Sequence, residues 1–248
     1  MPKTLWARRL PHGPFMRTPY PFTVLPLILL LGVGCLPAYL PYGEWGGGVY
    51  HDVPPAGMSH EAWSHALSAH AVAIERGETR SSLLTVIDYS QPSTQLRFWV
   101  VDLATGEVLV REYVAHAVQT GGTWATSFSN RHGSYRSSLG TFVTANTYYG
   151  IKGLSLRLRG LEPGINDNAR ARGIVIHGTQ SVNALRAAQG RLGRTLGCPA
   201  LPWEASSRIV DLIANGVVVF AWAPDPAFLA HSNYIDAGVA AVRLSSMD

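Results

Sequence analysis

The sequence predicts a mainly β domain with peripheral helices, a sandwich or barrel rather than a doubly wound parallel sheet. Three observations lead there. From Ser82 onward, short apolar runs rich in Val, Leu, Phe and Trp follow one another between Gly-containing turns. Few segments carry helical periodicity. Strands and helices do not alternate as βαβ units demand, which argues for mainly antiparallel pairing. The composition supplies the core such a fold needs: 47% of the 248 residues are hydrophobic and 15% charged, which excludes a disordered chain. Net charge is +4, carried almost wholly by arginine because the only lysines are Lys3 and Lys152. No block of like charge exists to grip a polyanion, so no nucleic-acid partner is expected.

Taken in order, Lys3, Arg8, Arg9 and Arg17 flank the start of an apolar stretch from Phe22 to Cys35. A basic start, a short apolar run and then small residues form an export pattern, and the run falls short of the ~20 residues of a bilayer span. Residues 1–38 therefore read as a signal peptide or a retained N-terminal anchor. Retention, or a lipid on Cys35, would attach the chain to the inner or outer membrane. Either way the working compartment is the periplasm or cell envelope. Residues 39–58 are dense in Pro and Gly and read as a linker. Residues 59–80 read as a helix capped by Ser59, with Trp63 and Leu67 inward and an end near Gly77. Its His60, His65 and His70 recur every five residues, which drifts around a helix, so they read as solvated rather than metal-ligating.

Residues 81–230 form the expected single main domain, and residues 231–248 a C-terminal tail. Within the domain, "SLLTVIDY" is an apolar strand, and "QLRFWVVDL" and "EVLVREYVAHA" form a hairpin turning at Gly106. "TFVTANTYYG" follows. "LSLRLRGL" sets Leu154, Leu156 and Leu158 against Ser155, Arg157 and Arg159, a half-buried strand with a basic outer face. "GIVI" is a buried strand that delivers His177. A short helix capped by Ser181 stops near Gly190. A second begins at Pro202, with Ile209, Leu212 and Ile213 inward and Gly216 after it. "VVVFAW" is the last buried strand.

His177 and Cys198 are where chemistry is expected. An exported protein that loses or lipidates Cys35 keeps one thiol, which persists in an oxidising compartment for its reactivity. A thiol becomes a nucleophile as thiolate, and a neighbouring imidazole is the usual means. His177 ends a rigid strand, and Cys198 follows Gly197 in a turn whose amides, from Leu196, Gly197 and Cys198, can face a developing oxyanion. Together these groups suffice for acyl transfer. One His and one Cys leave a zinc site two ligands short, and no nucleophile-elbow serine is present. No metal and no cofactor are expected.

The local motifs sharpen this. "HGT" at 177–179 followed by "TLGC" at 195–198 resembles the signature of the L,D-transpeptidase (YkuD-like) catalytic domain, and "SSLGTFV" at 137–143 looks like that family's upstream segment. With "LEPGINDNAR" and "GRTLGCPALP", the chain is similar to the murein L,D-transpeptidase branch over roughly residues 82–225. The resemblance implies a YkuD-like β sandwich or barrel. It also implies a Cys198 nucleophile with His177 as base, support from Gly178, Thr179 and Thr195, and peptidoglycan stem peptides as substrate and partner. Two departures stand out. Leu196 occupies the place where most of the family has His, and "PAL" follows the cysteine where a polar residue is usual. Substrate contacts must then come from elsewhere, and Arg191, Arg194, Asn130 and Asn168 are the candidates. Residues 119–138 are the expected flap.

Two other readings compete. "TLGC" also resembles the Thr-Leu-x-x-Cys stretch of sortases, but His177 lies too near the cysteine and "VVVFAW" lacks the expected arginine. A non-catalytic cell-wall binding module would use the basic face of Arg157 and Arg159 instead of the thiol.

Overall fold

The computed structural model describes residues 53–235. The expected signal or anchor with Cys35, most of the linker and most of the tail lie outside the described residues. Helix α1 (His60–Glu75) is followed by strands β1 (Leu83–Asp88), β2 (Phe98–Asp102), β3 (Glu107–Glu112), β4 (Gly140–Gly150), β5 (Gly153–Gly160) and β6 (Val175–Thr179). Then come α2 (Ala184–Ala188), β7 (Ala200–Pro202), α3 (Trp203–Leu212), β8 (Val218–Trp222) and α4 (Pro226–His231). No helix among the described residues is long and apolar enough to cross a membrane.

All eight strands form one sheet in the order β3-β2-β1-β8-β4-β5-β6-β7. Five of the pairings are antiparallel, but β1 with β8 and β6 with β7 run parallel. The mainly β expectation holds, and pairing is mainly antiparallel, with two parallel junctions that make the sheet mixed. The two edges approach each other, because the chain beyond β3 pairs with β7. Ala115 N–H donates to Ala200 O at 2.9 Å, and Val118 N–H donates to Thr195 O at 2.8 Å. The sheet is thereby nearly closed into a barrel, which removes the exposed edges that an open sheet would present.

Strand burial follows from sequence. β8 is buried throughout, as "VVVFAW" predicts, and Trp99, Trp222, Phe98, Phe220, Leu84, Ile87, Leu156 and Ile176 fill the interior. Gly106 takes φ 75° between β2 and β3, the left-handed conformation the hairpin required. Ser59 caps α1 by accepting from Ala62 N–H at 3.2 Å. α1 packs on β1 and β8.

Several expectations need correction. His65 and His70 are buried, not solvated: His65 lies 4.6 Å from the Trp222 ring and His70 Nε2 donates to Ser81 O at 2.8 Å. α2 is capped by Asn183, whose side chain accepts from Arg186 N–H, while Ser181 instead bonds Thr179. Leu212 is 37% exposed, and Val210 joins Ile209 and Ile213 on the inner face of α3. Ser155 is buried, and the basic face of β5 is not free. Arg159 pairs with Glu78 at 2.6 Å and Arg157 lies 4.1 Å above the Tyr148 ring.

A buried carboxyl fastens the end of α4 to the sheet. Glu162 is 2% exposed; its Oε1 accepts from Thr141 N–H at 2.6 Å and its Oε2 from Ser232 Oγ–H at 2.5 Å. Burial is the main cause that raises its pKa above the ordinary 4.5, against the pull of Ser232 and Thr141. A carboxyl with a raised folded-state pKa gives stability that is complete below the unfolded value and lost as pH rises through the folded one. Chemical denaturation of Glu162→Gln should therefore show a weaker loss of stability above pH 4.5 than the native chain, because the amide cannot ionise.

Candidate active site

β6 and the turn before β7 bring the two motifs together. β6 forms because "IVIHGT" is apolar up to the histidine, and its position is fixed by β5 on one side and β7 on the other. His177 pairs with Ser155 of β5 and with Ala200 of β7. Cys198 stands two residues before Ala200, at the entry to the strand adjacent to His177. Gly178 is where α3 touches β6: a Cβ there would lie 2.3 Å from Ser206 Oγ. Glycine is thus demanded by close packing of helix on strand.

The turn carrying Cys198 is held from two sides. Thr195 N–H donates to His116 O at 3.1 Å, on the segment beyond β3. Thr195 Oγ1 donates to Cys198 O at 2.7 Å and accepts from Gly197 N–H at 3.3 Å, closing the turn on itself. Gly197 has φ 148°, and a Cβ there would meet Ile174 Cδ1 at 2.4 Å. Of the three amides expected to face an oxyanion, that of Gly197 is occupied by Thr195. Those of Leu196 and Cys198 meet no protein acceptor among the described residues. Thr179, at the end of β6, bonds Ser181 Oγ at 3.0 Å and so shapes the exit of the strand.

His177 is 7% exposed. Its Nδ1 lies 2.9 Å from Gly178 O. A carbonyl oxygen only accepts, so Nδ1 carries the proton and Nε2 holds a lone pair. Burial lowers the His177 pKa, the Gly178 bond opposes this, and the Lys152 ammonium lowers it further. Cys198 is half-buried, and its Sγ accepts from Val175 N–H at 3.5 Å and donates to Gly173 O at 3.6 Å. Burial pushes the Cys198 thiol up, while the Val175 N–H and the Arg172 guanidinium pull it down. No hydrogen bond joins Sγ to the imidazole among the described residues.

The other expected residues fall into two groups. Arg191 and Arg194 are exposed on the approach to Cys198, Arg194 with one bond to Gly121 O at 3.2 Å. Asn130 and Asn168 bond each other: Asn168 N–H donates to Asn130 Oδ1 at 3.1 Å, and Asn130 Nδ2 donates to Asp167 Oδ1 at 2.6 Å. They stitch the loop before β4 to the turn before β6. Sequence reasoning did not single out Arg172, Lys152, Tyr89 or His116. Nothing local separates Arg172 from Arg170, and Lys152 drew no notice although it is the only lysine outside the N-terminal stretch.

Solved structures similar to this chain include an L,D-transpeptidase from Mycobacterium smegmatis, 13% identical, with a TM-score of 0.36 and coverage of 58% of this chain and 59% of that one. An L,D-transpeptidase from Xylanimonas cellulosilytica is 14% identical, with a TM-score of 0.34 and coverage of 64% and 78%. One from Mycobacterium tuberculosis H37Rv is 14% identical, with a TM-score of 0.34 and coverage of 57% and 58%. The chain thus spans well under two thirds of the Mycobacterium smegmatis and Mycobacterium tuberculosis proteins. No curated protein sequence matches it. The L,D-transpeptidase catalytic domain profile matches residues 55–222, from the residues before α1 to the end of β8. By that match over more than half its length, the chain belongs to the L,D-transpeptidase catalytic domain family.

Proposed function

We propose that the chain is a cysteine-dependent L,D-transpeptidase of the cell envelope that acts on peptidoglycan stem tetrapeptides, with Cys198 as nucleophile and His177 as base. The observation that carries this reading is the Nδ1–H bond of His177 to Gly178 O, which leaves Nε2 as a proton acceptor on the strand next to the cysteine turn.

Burial raises the thiol and lowers the imidazole, so both groups are neutral at pH 7. The proton then moves as the bond forms rather than before it. Cys198 Sγ–H leaves Gly173 O, gives its proton to His177 Nε2, and the sulfur attacks the carbonyl of the third stem residue. The amides of Leu196 and Cys198 receive the oxyanion, a contribution worth ~3 kcal/mol per donor in comparable sites. Collapse breaks the C–N bond, His177 returns the proton to the departing amine of D-alanine, and a thioester remains. The side-chain amine of a second stem attacks next and loses a proton to His177; the C–S bond breaks, His177 passes that proton to the departing sulfur, and the thiol is freed with a new cross-link. Water in place of the amine makes the enzyme an L,D-carboxypeptidase. Arg191 and Arg194, exposed beside the turn, are the substrate contacts this reading keeps. Asn130 and Asn168 act through the loop they hold.

Incubating the purified chain with a carbapenem should add one covalent mass at Cys198, and Cys198→Ala should add none while keeping its fold. An unmodified native protein in a reduced, folded sample would overturn the reading. With a purified tetrapeptide, His177→Gln should lower kcat by ~10²–10⁴. The pH profile of kcat/KM should rise with pH only below 6.5, where His177 loses its proton, and stay flat through neutrality. A rise centred above pH 7 would contradict a neutral base in the free enzyme.

A further inference from the structure

The residues before β6 hold a second feature beside the sulfur. Arg172 Nη1 donates to Ser129 O at 2.7 Å and to Ser138 Oγ at 2.5 Å. Its Nη2 donates to Ser134 Oγ at 3.2 Å and to Arg136 O at 2.6 Å. The 129–138 loop thus folds round the guanidinium, and its ends are tied by Ser129 N–H to Ser137 O at 3.0 Å. Within this loop Tyr135 takes φ 49°, a left-handed conformation a tyrosine seldom adopts. It persists because surrounding bonds, including Gln119 N–H to Tyr135 O at 3.0 Å, fix the backbone.

This assembly abuts the cysteine turn. A Cβ on Gly197 would lie 3.7 Å from both Arg136 O and Arg172 Nη2. Every oxygen that holds Arg172 is neutral, and no carboxylate forms an ion pair with it among the described residues. Asp167, the acidic residue of the same turn, is bonded to Asn130 Nδ2 and Gly164 N–H. An arginine keeps its proton under these conditions. Its charge is therefore held in place by dipoles and left unneutralised next to the one nearby group that must become negative.

We propose that Arg172 is a positioning residue for the reaction, its loop-bound guanidinium presenting a fixed positive charge to Cys198 so that the sulfur ionises more readily. The inference rests on the reading of Cys198 as nucleophile. Arg172, from the turn before β6, and Tyr89 interact electrostatically with the sulfur, and His177 lies on the neighbouring strand β6. Tyr89 follows β1, and burial pushes its phenol up to about 12, so it stays neutral. Burial lowers Arg172 and raises the Cys198 thiol, and the two groups oppose this in each other: Arg172 draws the thiol down and Cys198 holds Arg172 up.

The test is the pH dependence of Cys198 alkylation by iodoacetamide in the full chain, with Cys35 replaced by Ser so that one thiol reports. Arg172→Gln should slow alkylation at pH 7 about tenfold, equivalent to a rise of roughly one unit in the thiol titration. Arg172→Lys, which keeps the charge but not the four-bond fork, should stay within about threefold of the parent. Equal slowing by both variants would mean that Arg172 only shapes the loop, and no slowing by either would mean that its charge does not reach the sulfur. Both results overturn the proposal. Should Arg172→Gln fail to fold, Ser134→Asp decides: a carboxylate set against Nη2 cancels the charge and keeps the guanidinium, so alkylation at pH 7 should slow, and an unmoved profile overturns the proposal. Alkylation needs no substrate, so failure here is distinguishable from failure of the acyl-transfer reading, which tetrapeptide turnover by the parent protein reports.

Discussion

The structure depends on the seam where the sheet closes. Residues 195–200 lie between β6 on one side and residues 115–118 on the other. Ala115 pairs with Ala200, and His116 O and Val118 N–H take up the backbone of Thr195. Each such bond contributes only ~0.5–1.5 kcal/mol net. Their effect is larger on geometry than on stability. A turn fastened at both flanks has few backbone conformations left, and the sulfur at its end inherits that restriction. Were the sheet open here, "GRTLGCPA" would be an edge loop, and the relation of Cys198 to His177 would vary with its motion.

That seam also explains the electrostatic state of the pair. Closure brings the sulfur and imidazole out of bulk water, which disfavours the charged form of each. Burial therefore acts on them in opposite directions and keeps both neutral at pH 7. A preformed thiolate–imidazolium pair would need more compensation than this site offers, since the one backbone N–H and the one guanidinium beside Sγ do not outweigh its burial. In the proposed mechanism the balancing negative charge arises with the substrate, as the oxyanion that the free amides receive.

Most of the sheet was legible in the sequence, because strand burial leaves a local trace. The β2–β3 hairpin, β4, β5, β6 and β8 stand where apolar runs placed them, and His177 and Cys198 drew attention through the residues around them. What the sequence hid is whatever depends on distant partners. "EVLVREYVAHA" reads as one strand through Ala117, whereas β3 ends at Glu112 and Ala115–Val118 turn to Thr195 and Ala200, distant partners that nothing in either stretch names. His65 and His70 look polar on a helix whose buried face is built largely of alanine, and the packing of Trp222 and the carbonyl of Ser81 help to make their burial tolerable. Leu212 looked inward by its apolarity, but Ile209, Val210 and Ile213 already fill the side of α3 that meets the sheet. Arg172 sits in an ordinary turn, and its ring of oxygens comes from a loop about forty residues away.

A common device runs through these positions. Arg97 is fully buried, yet it is held by Val114 O, Gln91 O and His116 Nδ1 rather than by a carboxylate. Because a guanidinium only donates, His116 must accept at Nδ1 and remain neutral, and burial together with Arg97 lowers its pKa to about 4. The backbone oxygen of that same His116 is the acceptor for Thr195. Carbonyl oxygens likewise orient His177 and His70, and Arg172 with help from two serines. A salt bridge in these places would hold geometry equally well, but it would cancel the charge. Carbonyl dipoles hold a cation or fix a tautomer while leaving the field or the lone pair available. In the mechanism proposed for this site, where the sulfur loses a proton and the imidazole gains one, that difference decides whether the scaffold merely holds its residues or also prepares them to react.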